Sequence, residues 1–379
     1  MSIEFRVPFS GDNGILDRIG LIGPVLPYRG GIAQYTTMLH RAMRNCCEVV
    51  TVSLKRGYPK CVYPGRSCRE PGYEDHLEED VDYILDPLSP HSWPGACRVF
   101  EERRVTRVVV SWWAVVWWPC LMYMVWRLSR RGVGVIFLCH NVFDHEGSSW
   151  KDLLSRIILS RRQFFMVHSR SDAAMLKKLA PDADIRIHDH PVCTHFPAPL
   201  TSLPKRGQLE LLFFGFVRPY KGVDILAEAM EILKGDDLFL TIAGEWWMSD
   251  PDLKSRLAAS ERIEVVDRYL SEDEVGRYFS RCDVVVLPYR KASGSGVVSL
   301  ASHFGKPVIA SGTGGLIDAV EGGVPGILFK PSDPVALADS IRSFLCGKTN
   351  REEVAGNAEP RNWESLARAI LEIPCRIAI

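Results

Sequence analysis

The 379-residue chain is short of several things, and each lack narrows what it can be. It has no surplus of either charge, with 46 Lys and Arg against 46 Asp and Glu. That balance argues against a nucleic-acid binder, which needs basic excess to neutralise phosphates. None of its 11 cysteines forms a C-x-x-C pair, so structural zinc is unsupported. Cys120, Cys139, Cys193 and Cys282 stand singly in apolar stretches and read as buried or idle thiols in a reducing compartment. A Cys61–Cys68 bridge in a loop is the alternative, and it would be unusual in the cytosol. The first residues, MSIEFRVPFSGDNG, lack an apolar h-region, so no signal peptide is expected and the expected location is cytoplasmic. There is also no clean membrane span. The nearest run, Val108–Trp126, is broken by Pro119 and masses Trp112, Trp113, Trp117 and Trp118 in its middle, whereas spanning helices carry aromatics at both ends. We read it as a strand (Thr106–Ser111), a loop, and a helix from Pro119 to Arg130. These tryptophans are expected in the core. The alternative is an exposed patch in peripheral contact with the cytoplasmic membrane face or a lipid-linked acceptor.

What is present points to an α/β protein. The length exceeds what one hydrophobic core usually supports, and 46% hydrophobic with 24% charged residues is the mix of a globular chain. Short β-rich runs alternate with helical patterns, the sequence form of parallel sheets. The strands read Arg18–Gly23, Glu48–Ser53, Thr106–Ser111, Val133–Cys139 and Phe165–His168 in the first half. In the second half they read Leu209–Phe214, Leu238–Ala243, Ile263–Val266, Val284–Pro288, Pro307–Ala310 and Gly326–Phe329. Ser271 with Glu274 forms a capping box, and Asp333 before Pro334 reads as an N-cap followed by proline at the first helical position. The prolines of 197–208 suggest a linker, and residues 57–95, rich in Gly, Pro and charge, read as a long loop excursion. The expected domains are 1–200, 201–362, and a helix in 363–379 that packs back on the first.

Four loops that leave strand C-terminal ends, where doubly wound folds bind ligands, have unusual composition. Gly30 and Gly31 close the loop after the first strand and open a helix, though without the G-x-G-x-x-G dinucleotide fingerprint. His140-Asn141-Val142-Phe143-Asp144-His145-Glu146 follows a strand directly, and its spacing is not H-E-x-x-H, which favours substrate hydrogen bonding over zinc. A satisfied structural histidine is the bland alternative. In Phe214-Gly215-Phe216-Val217-Arg218-Pro219-Tyr220-Lys221-Gly222, Arg218 and Lys221 bracket a helix start where a diphosphate would be held. Ser293-Gly294-Ser295-Gly296-Val297 offers backbone amides and two hydroxyls at another helix start.

With those loops in view, the chain resembles glycosyltransferase family 4, whose retaining enzymes have the GT-B fold. The resemblance is carried by "FFGFVRPYKGVDILAEAM", "CDVVVLPY", "GKPVIAS…GG" and "GILFKPSDPVALADSI", and by "GPVLPYRGGIAQYTTML" and "FLCHNVFDHE" nearer the N-terminus. It implies two Rossmann-like parallel-sheet domains facing across a cleft, with the acceptor side first and the donor side second. Lys221 matches the lysine that binds the donor diphosphate, with Arg218 as companion, although the family arginine more often stands where Phe216 does. His140 matches the histidine that reaches the donor sugar, and Gly30 and Gly31 the glycine loop near the phosphates. Many members carry two glutamates across the fourth loop. Ala292 and Leu300 stand at those positions here, so ribose recognition is expected from Glu245 or from backbone around Arg268–Tyr269.

The implied reaction moves a sugar from a nucleotide-sugar donor to a hydroxyl on a glycan, glycolipid or lipid-linked acceptor. Lys221, Arg218 and the 293–297 amides would stabilise the leaving diphosphate, with no metal or cofactor expected. Two rivals stand beside it: a catalytically inactive binding subunit, motivated by Ala292 and Leu300, and a sugar-nucleotide epimerase, for which the loops hold few acids.

Overall fold

The computed structural model describes residues 18–57, 67–113, 115–143, 149–162, 164–193, 196–199, 201, 203–347 and 362–374. Asp144, His145, Glu146 and Cys61, singled out above, lie outside the described residues. The chain divides into two units, Met1–Asp189 with Pro360–Ile379, and His190–Glu359.

The first unit is built on a seven-stranded sheet in the order β3-β2-β1-β4-β5-β6-β7, every pairing parallel. Its strands are β1 (Arg18–Ile22), β2 (Glu48–Leu54), β3 (Val81–Leu85), β4 (Arg107–Trp112), β5 (Gly134–Cys139), β6 (Phe164–Val167) and β7 (Asp184–Ile187). Between them run α1 (Gly31–Cys46), α2 (Ser92–Glu102), α3 (Trp118–Ser129), α4 (Ser149–Leu159) and α5 (Arg170–Leu179). Successive side chains of a strand point to opposite faces, and β4 shows the result. Val108 and Val110 join a core with Phe100 of α2, Met124 of α3 and Leu159 of α4. Val109 joins a second core with Leu39 of α1 and Leu366 and Ile370 of α12 (Trp363–Leu371). Both faces are therefore apolar, which is why these strands read as continuous hydrophobic runs.

The second unit holds six parallel strands ordered β10-β9-β8-β11-β12-β13. They are β8 (Leu209–Phe214), β9 (Leu238–Ala243), β10 (Ile263–Val266), β11 (Val284–Leu287), β12 (Val308–Ser311) and β13 (Gly326–Phe329). The helices are α6 (Val223–Ile232), α7 (Pro251–Ala258), α8 (Glu272–Arg281), α9 (Gly296–His303), α10 (Gly315–Glu321) and α11 (Pro334–Leu345). The expected start signals operate. Ser271 and Glu274 cap α8 reciprocally, and the Asp333 side chain accepts from the Ala336 amide at the head of α11. Both sheets have the doubly wound order, in which the chain reverses direction between the first strand and its neighbour across the centre. That switch lies between β1 and β4 in one unit and between β8 and β11 in the other.

Two readings are corrected. Residues 57–95 are not one loop excursion, because β3 and the start of α2 fall within them. As an edge strand, β3 (VDYIL) tolerates an acid in its middle, and its flanks are held by ion pairs from Glu78 to Arg41 and from Asp86 to Arg56. The short β7 was also missed, since D-I-R-I carries two charges in four residues. The tryptophan cluster divides: Trp112 and Trp117 are buried in the core of the first unit, and Trp118 is exposed.

Candidate functional site

In the second unit the loops after β8 and β11 flank the switch point, and backbone contacts fasten them together. Gly222, at φ +69°, caps α6 where a β-carbon would come 2.1 Å from the Pro288 carbonyl oxygen. Only glycine fits so close a passage in that backbone conformation. The Arg290 amide donates to the Tyr220 carbonyl at 2.7 Å, and its guanidinium donates to the Pro219 carbonyl at 2.8 Å while pairing with Asp224.

Lys221 lies inside this junction with 9% of its surface exposed. A β-carbon on Gly215 (φ +96°) would stand 3.0 Å from the Lys221 ammonium and 3.8 Å from Cγ2 of Val297, so the end of β8, the lysine and the first turn of α9 converge. The ammonium sits 5.5 Å from the centre of the Tyr289 ring. Among the described residues no carboxylate pairs with it. Burial, and then the positive charge of Arg218, pull its pKa down to about 7 from an ordinary value of 10.5. The charge that acts most on this buried cation is thus another cation, and an anion bound beside Lys221 would be favoured.

The third component is the start of α9. Ser295 takes the N-cap position without a side-chain cap, which places the Gly296 and Val297 amides at the positive end of the helix dipole, while the Val298 amide donates to the Ser295 carbonyl. The preceding loop is pinned from the far side: the Gly315 amide donates to the Ala292 carbonyl at 3.1 Å, and a β-carbon on Gly315 would fall 2.3 Å from the Ser293 carbonyl oxygen. Ser293 is buried. Ala292 and Leu300 retain 8% and 4% of their surface and belong to the hydrophobic core of the unit, so apolar packing occupies both positions where the resemblance led to the expectation of acids.

Glu245 is buried at the end of β9, its backbone carbonyl accepting from the Val217 amide at 2.9 Å. Beside it, Phe216 stacks on Trp247 with ring centres 4.2 Å apart, Tyr269 lies 6.0 Å from Phe216, and the Arg218 guanidinium is 5.6 Å from the Trp247 ring centre. Phe216 therefore extends an aromatic platform.

In the first unit, Gly30 (φ +104°) is the N-cap of α1, again without a side-chain cap, and a side chain on Gly31 would meet nothing within 4 Å. His140 follows β5, its amide bonded to the Trp112 carbonyl at 2.9 Å and its ring set edge-on against Tyr35 with centres 4.5 Å apart. The Tyr35 hydroxyl lies 2.8 Å from Nε2 of His168, whose Nδ1 is 2.7 Å from the His188 carbonyl. A carbonyl only accepts, so a neutral His168 carries its proton on Nδ1 and Nε2 accepts from Tyr35. His168 escaped the sequence reading as the last residue of a strand, and Tyr35 lay inside the quoted GPVLPYRGGIAQYTTML segment without a role. Tyr289 and Gly315 lay inside quoted segments without a role. Among the described residues no three His, Cys, Asp or Glu side chains gather to hold a metal ion.

Comparison with known proteins decides what this arrangement belongs to. Residues 208–346 match the family model for glycosyl transferases group 1. The match lies wholly within the second unit. A curated relative, the GDP-mannose:glycolipid 4-beta-D-mannosyltransferase of Xanthomonas campestris pv. campestris, is 30% identical over 200 residues, 50% of this chain and 54% of that one. The chain spans about half the length of the curated relatives it matches. Sucrose-phosphate synthase from Thermosynechococcus elongatus aligns over 93% of this chain and 97% of its own, with a TM-score of 0.69 and 19% identity. Anabaena Alr3699/HepE in complex with UDP-glucose aligns over 93% and 94%, with a TM-score of 0.64 and 14% identity. The fold is GT-B: two parallel-sheet α/β domains, of which the second carries the group 1 glycosyl transferase sequence.

Proposed function

We propose that this chain is a glycosyltransferase that moves a sugar from a nucleotide-sugar donor to a hydroxyl acceptor, with retention of anomeric configuration. The observation that carries the reading is the buried Lys221 ammonium beside Arg218 and the uncapped start of α9, a cationic pocket at a switch point with no carboxylate on Lys221 among the described residues. Donor diphosphate supplies the missing charge. As the bond to the anomeric carbon breaks, negative charge grows on the departing phosphate, and Lys221, Arg218 and the amides of 293–297 are fixed where they stabilise it. Groups already in position need no reorganisation at the moment of reaction. Glu245 and backbone near Tyr269 bind the nucleoside in this reading, the first unit takes the acceptor through the Gly30–Gly31 loop, and His140 contacts the donor sugar. The acceptor class is a glycan, a glycolipid or a lipid-linked precursor.

GDP-mannose and UDP-glucose are the first donors to test, because a Xanthomonas relative is named for one and the Anabaena structure contains the other. The experiment measures binding and turnover of UDP-, GDP- and ADP-sugars by the wild type and Lys221→Ala. The reading requires turnover by the wild type that the variant loses, and it fails if no donor binds. The anomeric outcome is read from the one-bond carbon–proton coupling at the anomeric centre of the product: an α-linked donor giving a β-linked product overturns retention. A second reading, a donor-binding subunit without activity, is motivated by the burial of Ala292 and Leu300 in the core. Donor binding that depends on Lys221, without turnover in the presence of acceptor extracts, would select it.

A further inference from the structure

The exposed large apolar side chains of the first unit are concentrated on neighbouring helices. On α4, Trp150, Leu153 and Ile157 are 59%, 59% and 51% exposed, while Ser155, Ile158 and Leu159 face the core. At 100° per residue the three exposed side chains fall within a narrow stripe, which the exposed Arg156 flanks on one side. On α3, Trp118 and Trp126 are exposed, and Trp126 continues through Tyr123 to Trp93 as a chain of ring contacts with centres 6.0 and 5.7 Å apart. Arg162, just past α4, reaches the Met122 sulfur of α3 at 3.1 Å. Both helices contribute to the same core on one side of the sheet, so their outer faces look out from that side.

Charge is segregated on the same surface. Residues 118–131 contain Arg127, Arg130 and Arg131 and no acid, and residues 149–162 expose Arg156 and Arg161, with Lys151 half-buried and Arg162 turned inward over the Phe137 ring, against Asp152 alone. Arg127 is engaged by Glu101, whereas the Arg130 guanidinium lies over the exposed Trp126 ring at 5.4 Å. In a chain whose charges balance overall, a local cationic fringe around exposed tryptophan, leucine and isoleucine is a specific arrangement. Monomeric soluble proteins rarely leave contiguous apolar surface of this kind uncovered. Tryptophan with flanking arginine and lysine suits the boundary between lipid headgroups and acyl chains, where apolar side chains enter and cations meet anionic headgroups. No helix among the described residues is long and apolar enough to cross a membrane, so any such contact is made lying on the surface.

We infer that the outer face of α3 and α4 docks the protein on an anionic lipid bilayer. The occupant is the bilayer interface and not a second copy of the chain, because a like-charged fringe would face itself across a symmetric contact. The inference is independent of the donor chemistry proposed above, and a failure of either leaves the other standing.

Flotation of the full chain with vesicles of phosphatidylcholine containing about one-third phosphatidylglycerol, against phosphatidylcholine alone, tests it. Binding is expected on the anionic vesicles only, weakening as salt rises. Leu153→Glu or Trp150→Glu should lower it at least about tenfold, and Arg161→Glu about fivefold at low salt. The altered side chains are exposed, so all three variants should keep the wild-type melting temperature, which separates loss of docking from loss of folding. The inference is overturned if the wild type floats with neither vesicle or equally with both, or if the glutamate variants float as the wild type does. It is also overturned if the face proves to be a self-association surface, with a wild-type dimer that Leu153→Glu dissolves and no flotation.

Discussion

Replacing Lys221 with methionine should make the ligand-free protein more stable and the donor-binding protein worse. The lysine has its pKa lowered to about 7 by burial and by Arg218, while the unfolded chain retains the ordinary value of 10.5. That difference corresponds to about 5 kcal/mol against the charged form in the folded state. The sign of the pH dependence follows. Between about pH 7 and 10.5 the unfolded chain holds the extra proton, so stability rises with pH across that window, and below pH 7 the whole penalty is present. Methionine matches the stem of lysine without the charge. If even about 2 kcal/mol of the penalty is recovered, the melting temperature of the ligand-free variant rises roughly 4–8 °C near neutral pH. The gain should be larger in acid and shrink above pH 7. Donor binding should move the other way. A charge-assisted bond to phosphate contributes about 1.5–3 kcal/mol, so Lys221→Met should weaken a nucleotide sugar about 10- to 100-fold. Because the diphosphate requires the protonated lysine, wild-type Kd should be flat below about pH 7 and rise toward tenfold per pH unit above it, a slope the variant lacks. A nucleotide sugar is the right ligand, since its phosphodiester oxygens do not titrate in this range. Thermal melts and calorimetry across about pH 6 to 9 read both effects. A ligand-free variant less stable than the wild type, or wild-type affinity independent of pH, refutes the reasoning.

Other perturbations test the scaffold and the supporting groups. Gly222→Ala adds a β-carbon 2.1 Å from the Pro288 carbonyl oxygen at φ +69° and should cost about 3 kcal/mol or more in a urea titration. Arg281, buried against Glu210 and Glu264, holds β8 and β10 to α8. Arg281→Met should cost about 3–5 kcal/mol by stranding a buried carboxylate, and adding Glu210→Gln should return part of it. Tyr35→Phe removes the hydroxyl that lies 2.8 Å from His168 and so loosens the ring against which His140 rests. It should lower kcat about fivefold while leaving donor Kd unchanged, the split expected of a residue that positions His140.

The second unit was the more legible in sequence because its strands are dominated by Val, Ile, Leu and Phe, even at the edges β10 and β13, and several of its helices carry explicit caps. Leu209–Phe214, Leu238–Ala243, Ile263–Val266 and Gly326–Phe329 were read to the residue. β3 and β7 were not, since edge strands admit charges that break the apolar signal. The site divides along similar lines. Arg218, Lys221 and the 293–297 loop announce themselves by composition at strand ends. The burial of Lys221 does not, because it depends on Gly215, Tyr289 and the α9 start meeting in space. The Tyr35–His168 contact joins residues 133 apart and leaves no local pattern. The tryptophan-rich stretch shows the limit most plainly: adjacent tryptophans at 117 and 118 have opposite environments, which a helix start decides and composition cannot.

The central claim is that the junction of the β8 and β11 loops holds the diphosphate of a nucleotide sugar whose glycosyl group the protein transfers. Its most direct test is the release of nucleoside diphosphate from GDP-, UDP- and ADP-sugars, followed for the wild type and Lys221→Ala with and without acceptor extracts. The account predicts that at least one donor is turned over by the wild type, faster with acceptor, and that the variant loses both activity and donor binding. Turnover that survives in the variant, or the absence of binding and turnover for every donor in the wild type, would contradict it.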